Sequence, residues 1–263
     1  MAEDAPDESR DGLSRDVWLG GKLTLLQPKR GPRVGSDAAL LAAACDPHEG
    51  RVADVGAGVG AVGLAIVSRN RGLTADLVEI DPAAAALAAD NAALNGLGAR
   101  IRVVNVDIYD RRARRAASLA EESAEAVATN PPYFDARAAR VSPNAARALA
   151  YAFGSDRGET ALDGWVSACL ALLKPGGRFT MIHRPQALAT ILAAVRNRLG
   201  AVALLPVHPR AGEAAHRLLV SGIKGSKAPL RIAPPLILHE QSGKLTSEAD
   251  AVHRGEKLLD WAA

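Results

Sequence analysis

From residue 51 onward, short apolar runs alternate with Ala-rich stretches whose apolar residues recur at helical spacing. The runs predict strands at 51–55, 75–80, 101–106, in AVAT (126–129), and at 178–183, 201–207 and 216–223. The stretches between them predict helices at 60–70, 82–95, 159–173 and 185–199, and a charged surface helix in RRARRAASLAEESAEA after Asp110. Asp81-Pro82 supplies a cap and a first-turn proline to its helix, and Lys174-Pro175-Gly176-Gly177 reads as a helix stop and turn. Another helix is predicted ahead of the first strand, capped by Ser36 or Asp37. Repeated strand–helix units make an α/β fold with a doubly wound, mostly parallel sheet of seven strands, which binds ligands at the carboxyl ends of its strands. No helix fits between 201–207 and 216–223, so this pair is expected to form an antiparallel hairpin at one edge.

The chain has 263 residues, enough for one large domain. Residues 1–16 carry six acids against Arg10 and Arg15, a net of −4, which leaves +7 on the rest of a chain whose overall charge is +3. They are expected to be a disordered acidic tail, with a lead-in segment and cofactor lid over 17–50 and the catalytic domain over 51–263. The basic remainder suits a polyanion but does not identify one. The acidic N-terminus is unlike a signal or transit peptide, and no apolar stretch approaches membrane-spanning length, so a cytoplasmic protein with no membrane partner is expected. Cys45 and Cys169 lie in Ala/Leu-rich helical stretches, where they are expected to pack as small apolar residues. No His/Cys/carboxylate spacing resembles a metal site, and none is expected.

The first strand runs into glycines. Asp54, Gly56, Gly58 and Gly60 read D-x-G-x-G-x-G, and a helix follows. Glycines there allow close backbone approach to a cofactor, and the helix N-terminus offers N–H donors. Gly58, Gly60 and Gly63 also fit G-x-G-x-x-G with Glu79 about twenty residues on, as a dinucleotide site requires. A carboxylate at Asp54 suits the ammonium of a methionine moiety better than a pyrophosphate, which favours S-adenosylmethionine. Glu79, ending the second strand, is placed to hold ribose hydroxyls. Asp107, ending the third, can accept from an adenine amino group or cap the turn into the next helix.

The fourth strand ends in Asn130-Pro131-Pro132-Tyr133-Phe134. An amino nitrogen on adenine or on an amide is a poor nucleophile because its lone pair is delocalised. The Asn130 side-chain oxygen and the carbonyl of Pro131 can accept its two hydrogens and localise that pair. Two prolines stiffen the turn, and Tyr133 offers a flat face for a base. The turn alone is also compatible with a Pro-rich strand exit and a buried tyrosine.

Taken together, QPKRGPRVGSDAALLAAA, the glycine turn, VEIDP, NVDIYD, NPPYF and RLLVSGIKG…APLRIAPPLILHE resemble the class I, S-adenosylmethionine-dependent N6-adenine methyltransferases with their Rossmann-like sheet. The likeness is to the bacterial family that methylates the adenosine just 3′ of the anticodon in a valine tRNA. It implies that Asp54, Gly56, Gly58 and Gly60 contact the methionine end of the cofactor, Glu79 the ribose and Asp107 the adenine. Asn130 and Pro131 would grip the target amino group, Tyr133 would stack on the base, and Pro132 and Phe134 would complete the substrate site. Arg33, Gly35, Ser36 and Asp37 would close the cofactor pocket from the N-terminal side. In the resembled family the strand before NPPYF usually begins with an Asp that supports it, and here Glu125 or nothing fills that place.

RNA, and specifically tRNA, is the expected partner. Segment 135–158 follows the catalytic turn and holds Arg137, Arg140, Arg147 and Arg157, of which Arg140 and Arg147 are expected to meet RNA. The Arg111–Arg115 run reads as a solvated helix face or an RNA contact. Two other functions use the same residues. A protein-glutamine N5-methyltransferase needs the same Asn-Pro-Pro-Tyr for an amide nitrogen, although only about fifty residues precede the first strand, too few for the helical domain those enzymes carry. A non-catalytic dinucleotide-binding module would need only the glycines.

Overall fold

The computed structural model describes residues 12–31, 33–131 and 161–262. A two-stranded antiparallel hairpin comes first, β1 (Leu13–Trp18) and β2 (Leu23–Pro28), joined by a tight turn at Leu19–Gly21. The chain then passes through α1 (Ser36–Ala44), β3 (Gly50–Val55), α2 (Ala61–Arg69), β4 (Leu73–Glu79), α3 (Pro82–Leu94), β5 (Ile101–Asn105), α4 (Arg111–Ala116) and β6 (Ala124–Thr129). After the undescribed stretch come α5 (Ala161–Leu172), β7 (Leu173–His183), α6 (Leu188–Val195), β8 (Leu199–Arg210), β9 (Arg217–Lys224), β10 (Arg231–Ile232), β11 (Leu236–His239) and α7 (Ser247–His253).

The main sheet has the order β10-β8-β9-β7-β6-β3-β4-β5, with β11 also pairing to β8. Strands β3 to β7 run parallel; β9 is antiparallel to both β7 and β8. Strands β3 to β9 are the seven expected of the doubly wound sheet, hairpin included, within a sheet of nine strands. The hairpin is not the outermost edge, because the two short strands β10 and β11 pair in parallel along β8. Chain order reverses between β3 and β6, so the crevice of the sheet opens beyond their carboxyl ends.

The parallel strands are buried on both faces, as in β3, where Val52, Ala53 and Val55 are fully covered. One face packs against α1, α2 and α3, whose alanines let helices approach the sheet closely, and the other against α5 and α6. Two asparagines on α3 dock the hairpin. Asn91 accepts from the Leu26 N–H (2.7 Å) and donates to the carbonyls of Leu26 and Val59 (both 3.0 Å). Asn95, one turn on, accepts from the Thr24 N–H and donates to the Thr24 carbonyl. Each side chain thus replaces a neighbouring strand along β2.

Several boundaries differ from those expected. Strand β1 begins at Leu13, inside the stretch assigned to the acidic tail, and Asp16 in it pairs with Arg33 at 2.6 Å. Helix α1 is preceded by Gly35 as its cap residue, and neither Ser36 nor Asp37 caps it. Asp81 does cap α3 through the Ala83 N–H (2.8 Å). The charged helix after Asp110 stops at Ala116: Ser118 takes a left-handed conformation (φ 56°), and the Leu119 N–H returns to the Arg114 carbonyl. Arg114 is only 6% exposed, so the Arg111–Arg115 run is not a uniformly solvated face. Lys174–Gly177 forms a bulge within β7, between the register pairs Ala124↔Leu173 and Ala126↔Arg178. Glu125 pairs with Lys174 and accepts the Arg51 N–H (2.6 Å), so this acid fastens the amino ends of β3, β6 and β7.

Candidate active site

A pocket of ≈ 220 Å³ opens at the carboxyl ends of β3, β4, β5 and β6. Its apolar walls are Val78, Ile80, Val106, Ile108 and Trp165, and its polar groups are Glu79, Asp107 and Asn130, with the Gly56 backbone at one side. Four expected site residues thus meet in one cavity. Of the NPPYF run, Asn130 is half-buried at the rim and Pro131 is buried. Pro132, Tyr133, Phe134, Arg140 and Arg147 lie outside the described residues.

The turn after β3 is tightly committed. Gly56 adopts φ 75°, which favours glycine, and a Cβ there would come within 3.0 Å of the Trp165 ring. The N–H groups of Gly56 and Ala57 donate to the Val78 carbonyl (2.9 and 3.1 Å), that of Gly58 to Glu79 Oε2 (2.7 Å), and that of Gly60 to the Ala57 carbonyl (2.9 Å). Glu79 takes a second N–H, from Asp81, on Oε1 (2.8 Å). A carboxylate has about four lone-pair sites, so two remain for hydroxyl groups in the pocket.

Asp54 is placed differently from the rest. It is 2% exposed and does not line the cavity; its Oδ2 accepts the Gly63 N–H at 2.8 Å. Burial pushes its carboxyl up to about 7, against the lowering effect of the Gly63 bond, and the nearby Glu79 charge adds to the rise. It therefore stands behind the glycine turn and holds the start of α2 to the end of β3. Gly58 and Gly60 likewise shape the turn from outside the lining. Asp107 Oδ1 accepts the Tyr109 N–H (2.9 Å), so it both builds its turn and faces the pocket, while Asp110 caps α4.

Ser36, Asp37 and Arg33 do not meet the pocket lining. Ser36 hydrogen-bonds to His253 on α7, Asp37 pairs with Arg217 on β9 (2.7 Å), and Arg33 pairs with Asp16. Conversely, Trp165 and Thr129 escape a reading built on motifs. The Trp165 N–H donates to the Thr129 hydroxyl (2.9 Å), which donates to the Val55 carbonyl (2.8 Å). A glycine beside one of three tryptophans inside a helical run was the available signal.

Cys45 and Cys169 are buried and unpaired, and burial pushes both thiols up, Cys45 to about 12. Among the described residues no group of three or more His, Cys, Asp or Glu side chains is arranged to hold a metal ion, and no helix is long and apolar enough to cross a membrane.

Comparison with known proteins gives a consistent picture. Residues 33–152 match the methyltransferase small domain family. The chain is 30% identical over 233 residues to the tRNA1(Val) (adenine(37)-N6)-methyltransferase of Dickeya chrysanthemi, a match covering 84% of this chain and 86% of that protein. It is 33% identical over 192 residues to the enzyme of the same name from Aeromonas salmonicida, covering 72% and 75%. Among solved structures it is similar to Atu636 of Agrobacterium tumefaciens, described as a predicted O-methyltransferase, with a TM-score of 0.70 and 34% identity over 85% of this chain and 98% of that one. The chain belongs to the tRNA1(Val) (adenine(37)-N6)-methyltransferase family.

Proposed function

We propose that this protein transfers a methyl group from S-adenosylmethionine to the exocyclic N6 of an adenosine in tRNA, next to the anticodon, in the cytoplasm. The observation that carries the reading is the convergence of Asn130, Glu79 and Asp107 on one pocket at the point where the sheet reverses. The pocket fits an adenosine. Glu79 keeps acceptor capacity for a ribose diol, Asp107 stands at the next strand end for an amino group, and Ile80, Val106 and Ile108 offer apolar faces to a ring. A dinucleotide fits poorly. The N–H groups of Gly56, Ala57, Gly58, Gly60 and Gly63 all have acceptors within the protein, and two carboxylates face the cavity where a pyrophosphate would need donors.

Bound here, S-adenosylmethionine supplies a methyl group already activated on a sulfonium. The protein then has to align and polarise the nitrogen. In this reading Asn130 and the Pro131 carbonyl accept the two amino hydrogens. Their acceptance strengthens as positive charge builds on nitrogen, so it acts chiefly in the transition state. The proton can leave once the nitrogen is cationic, and no strong base is required. Tyr133 stacks on the base, Pro132 and Phe134 complete its site, and Arg140 and Arg147 contact the RNA backbone; these roles rest on sequence and resemblance. The glycine turn with Asp54 is assigned to the methionine end, Asp54 acting through the backbone it holds. A cofactor-side role for Ser36 and Asp37 is likewise assigned from the sequence and the resemblance alone. The lead-in segment up to residue 50 serves as the cofactor lid and residues 51–263 as the catalytic domain.

The Agrobacterium relative's description specifies oxygen as acceptor. The Asn-Pro-Pro turn argues for nitrogen, because an oxygen nucleophile has available lone pairs and does not need two hydrogens held. The test is incubation with labelled S-adenosylmethionine and, separately, total tRNA, rRNA and a release-factor preparation, followed by digestion. Label recovered as N6-methyladenosine from tRNA supports the proposal. Label on an oxygen atom, or only in protein, overturns it.

A further inference from the structure

We propose that Trp165 is a positioning residue that fixes the glycine turn after β3, the Asp107 turn after β5 and the Asn130 turn after β6 relative to one another. The inference rests on the methyl-transfer reading of the pocket. It comes from one side chain on α5, the first described element after the Asn130 turn, which touches all three.

The indole is 4% exposed and forms part of the pocket wall. Its six-membered edge lies under Gly56, close enough that a Cβ at that position would stand 3.0 Å from Cζ2 and 3.2 Å from Cη2. Its N–H donates to the hydroxyl of Thr129, the residue before Asn130, and that hydroxyl donates across the β3–β6 pair to the Val55 carbonyl, the residue before Gly56. Its ring meets Tyr109 edge to face, with centroids 5.9 Å apart and planes at 74°. Tyr109 in turn gives its N–H to Asp107. Gly164 makes room for this contact, since a Cβ there would lie 3.1 Å from Tyr109 Cε1. A glycine inside a helix is destabilising relative to alanine, so the fold tolerates a local loss at the place where the two rings meet.

Burial alone does not demand the hydrogen bond. The other deeply buried indole, Trp261, leaves its N–H without a partner. At Trp165 the N–H instead completes a relay between the two strand ends at the crevice. One end carries the cofactor-side turn and the other the acceptor-side asparagine. Methyl transfer needs the two reacting centres aligned within a fraction of an ångström. Loosening the relay should therefore slow the chemical step more than it weakens binding of either ligand.

The experiment uses the full chain and four variants: Trp165→Phe, which keeps a ring; Thr129→Val, which keeps the shape; Thr129→Ser, which keeps the hydroxyl; and the double variant Trp165→Phe/Thr129→Val. Turnover and KM for tRNA are measured separately, with S-adenosylhomocysteine affinity by calorimetry. Losing the bond should lower kcat about 5- to 20-fold in Trp165→Phe and in Thr129→Val, with affinity for S-adenosylhomocysteine changed less than about threefold. Thr129→Ser should stay near wild type. The double variant should be little worse than either single one, because both remove the same contact. Unchanged kcat in both single variants, or losses that multiply in the double one, overturns the proposal.

If wild type binds S-adenosylhomocysteine but methylates no tRNA, the acceptor assignment fails separately. The relay is then read by tryptophan emission during the same titration. A change that Trp165→Phe abolishes and Thr129→Val alters supports it, and a change identical in all variants overturns it. A wild type that binds no S-adenosylhomocysteine overturns both readings.

Discussion

Glu79 Oε2 accepts the Gly58 N–H at 2.7 Å, across the gap between the ends of β4 and β3. One carboxylate therefore shapes the glycine turn and faces the pocket. Its removal should act twice, by losing charge-assisted bonds to a ribose and by leaving a backbone donor unpaired. Glu79→Ala should weaken S-adenosylmethionine binding at least about tenfold, the fold-change of roughly 1.4 kcal/mol. Glu79→Gln keeps an acceptor for Gly58 and should lose less. Calorimetric affinities equal to wild type in both variants would remove Glu79 from the cofactor site.

Asn130 should affect turnover rather than cofactor affinity. Asn130→Ala is expected to cut kcat by about a hundredfold or more, the scale seen when one transition-state hydrogen bond is deleted. Asn130→Asp retains an acceptor oxygen and should keep part of the activity. Single-turnover methylation of tRNA, with cofactor affinity measured alongside, separates the two effects.

Basic residues in 135–158 should govern RNA capture. Reversing Arg140 and Arg147 to Glu should raise KM for tRNA and flatten its dependence on salt, because each lost phosphate contact reduces counterion release. The same KM slope against salt in wild type and variant would place the RNA elsewhere.

Two buried groups pull stability in opposite directions as pH changes. Asp54 is held up near 7 against an ordinary 3.8, so between about pH 4 and 7 the folded chain retains a proton that the unfolded chain releases. Stability from this group falls as pH rises through that window. His183, 6% exposed, is pushed down by burial to about 4 from 6.5, so the unfolded chain holds the extra proton there and stability rises between about pH 4 and 6.5. The two slopes offset each other, each at most ~1.4 kcal/mol per pH unit. Asp54→Asn should expose the histidine slope, giving a variant that gains denaturant resistance from pH 4.5 to 6.5 while wild type changes little. Parallel curves for the two proteins would mean that Asp54 stays ionised.

Neither thiol should react in the native state. Cys45 and Cys169 are buried, and both are held far from ionisation at neutral pH. Since the thiolate is the reactive form, a disulfide-exchange reagent such as Ellman's should label them only at the rate of unfolding. Immediate labelling of one equivalent without denaturant would contradict this.

The sheet was legible because its strands are uninterrupted apolar runs and its helices carry clear starts such as Asp81-Pro82. Glu79, Asp107 and Asn130 were legible for a related reason: each ends a strand, and a doubly wound sheet brings those ends together. Ser36 and Asp37 misled as caps because their positions near a helix start suit one. The chain instead commits them to His253 and Arg217, more than 170 residues away, which no local pattern encodes. Asp54 shows the same limit at short range. Its place in the glycine motif is visible, but its full burial behind the turn depends on how α2 sits over β3. Trp165 was missed because its importance lies in three neighbours that meet only in space. The hairpin β1–β2 was missed because its apolar alternation is short and its outer partners are side chains.

Those partners, Asn91 and Asn95, have a consequence for how the chain folds and keeps apart from its neighbours. An unpaired strand edge is a template for other chains to add to. Here the exposed N–H and C=O groups of Thr24 and Leu26 are already occupied by amides from a helix that belongs to the main sheet. Copies of the protein thus lose that edge as a place to stack. The same contacts join the hairpin of residues 13–28 to the rest as one cooperative unit, because releasing it would strand two amide side chains against the helix surface. The Thr24 and Leu26 amide protons should then exchange with solvent as slowly as those of the central strands.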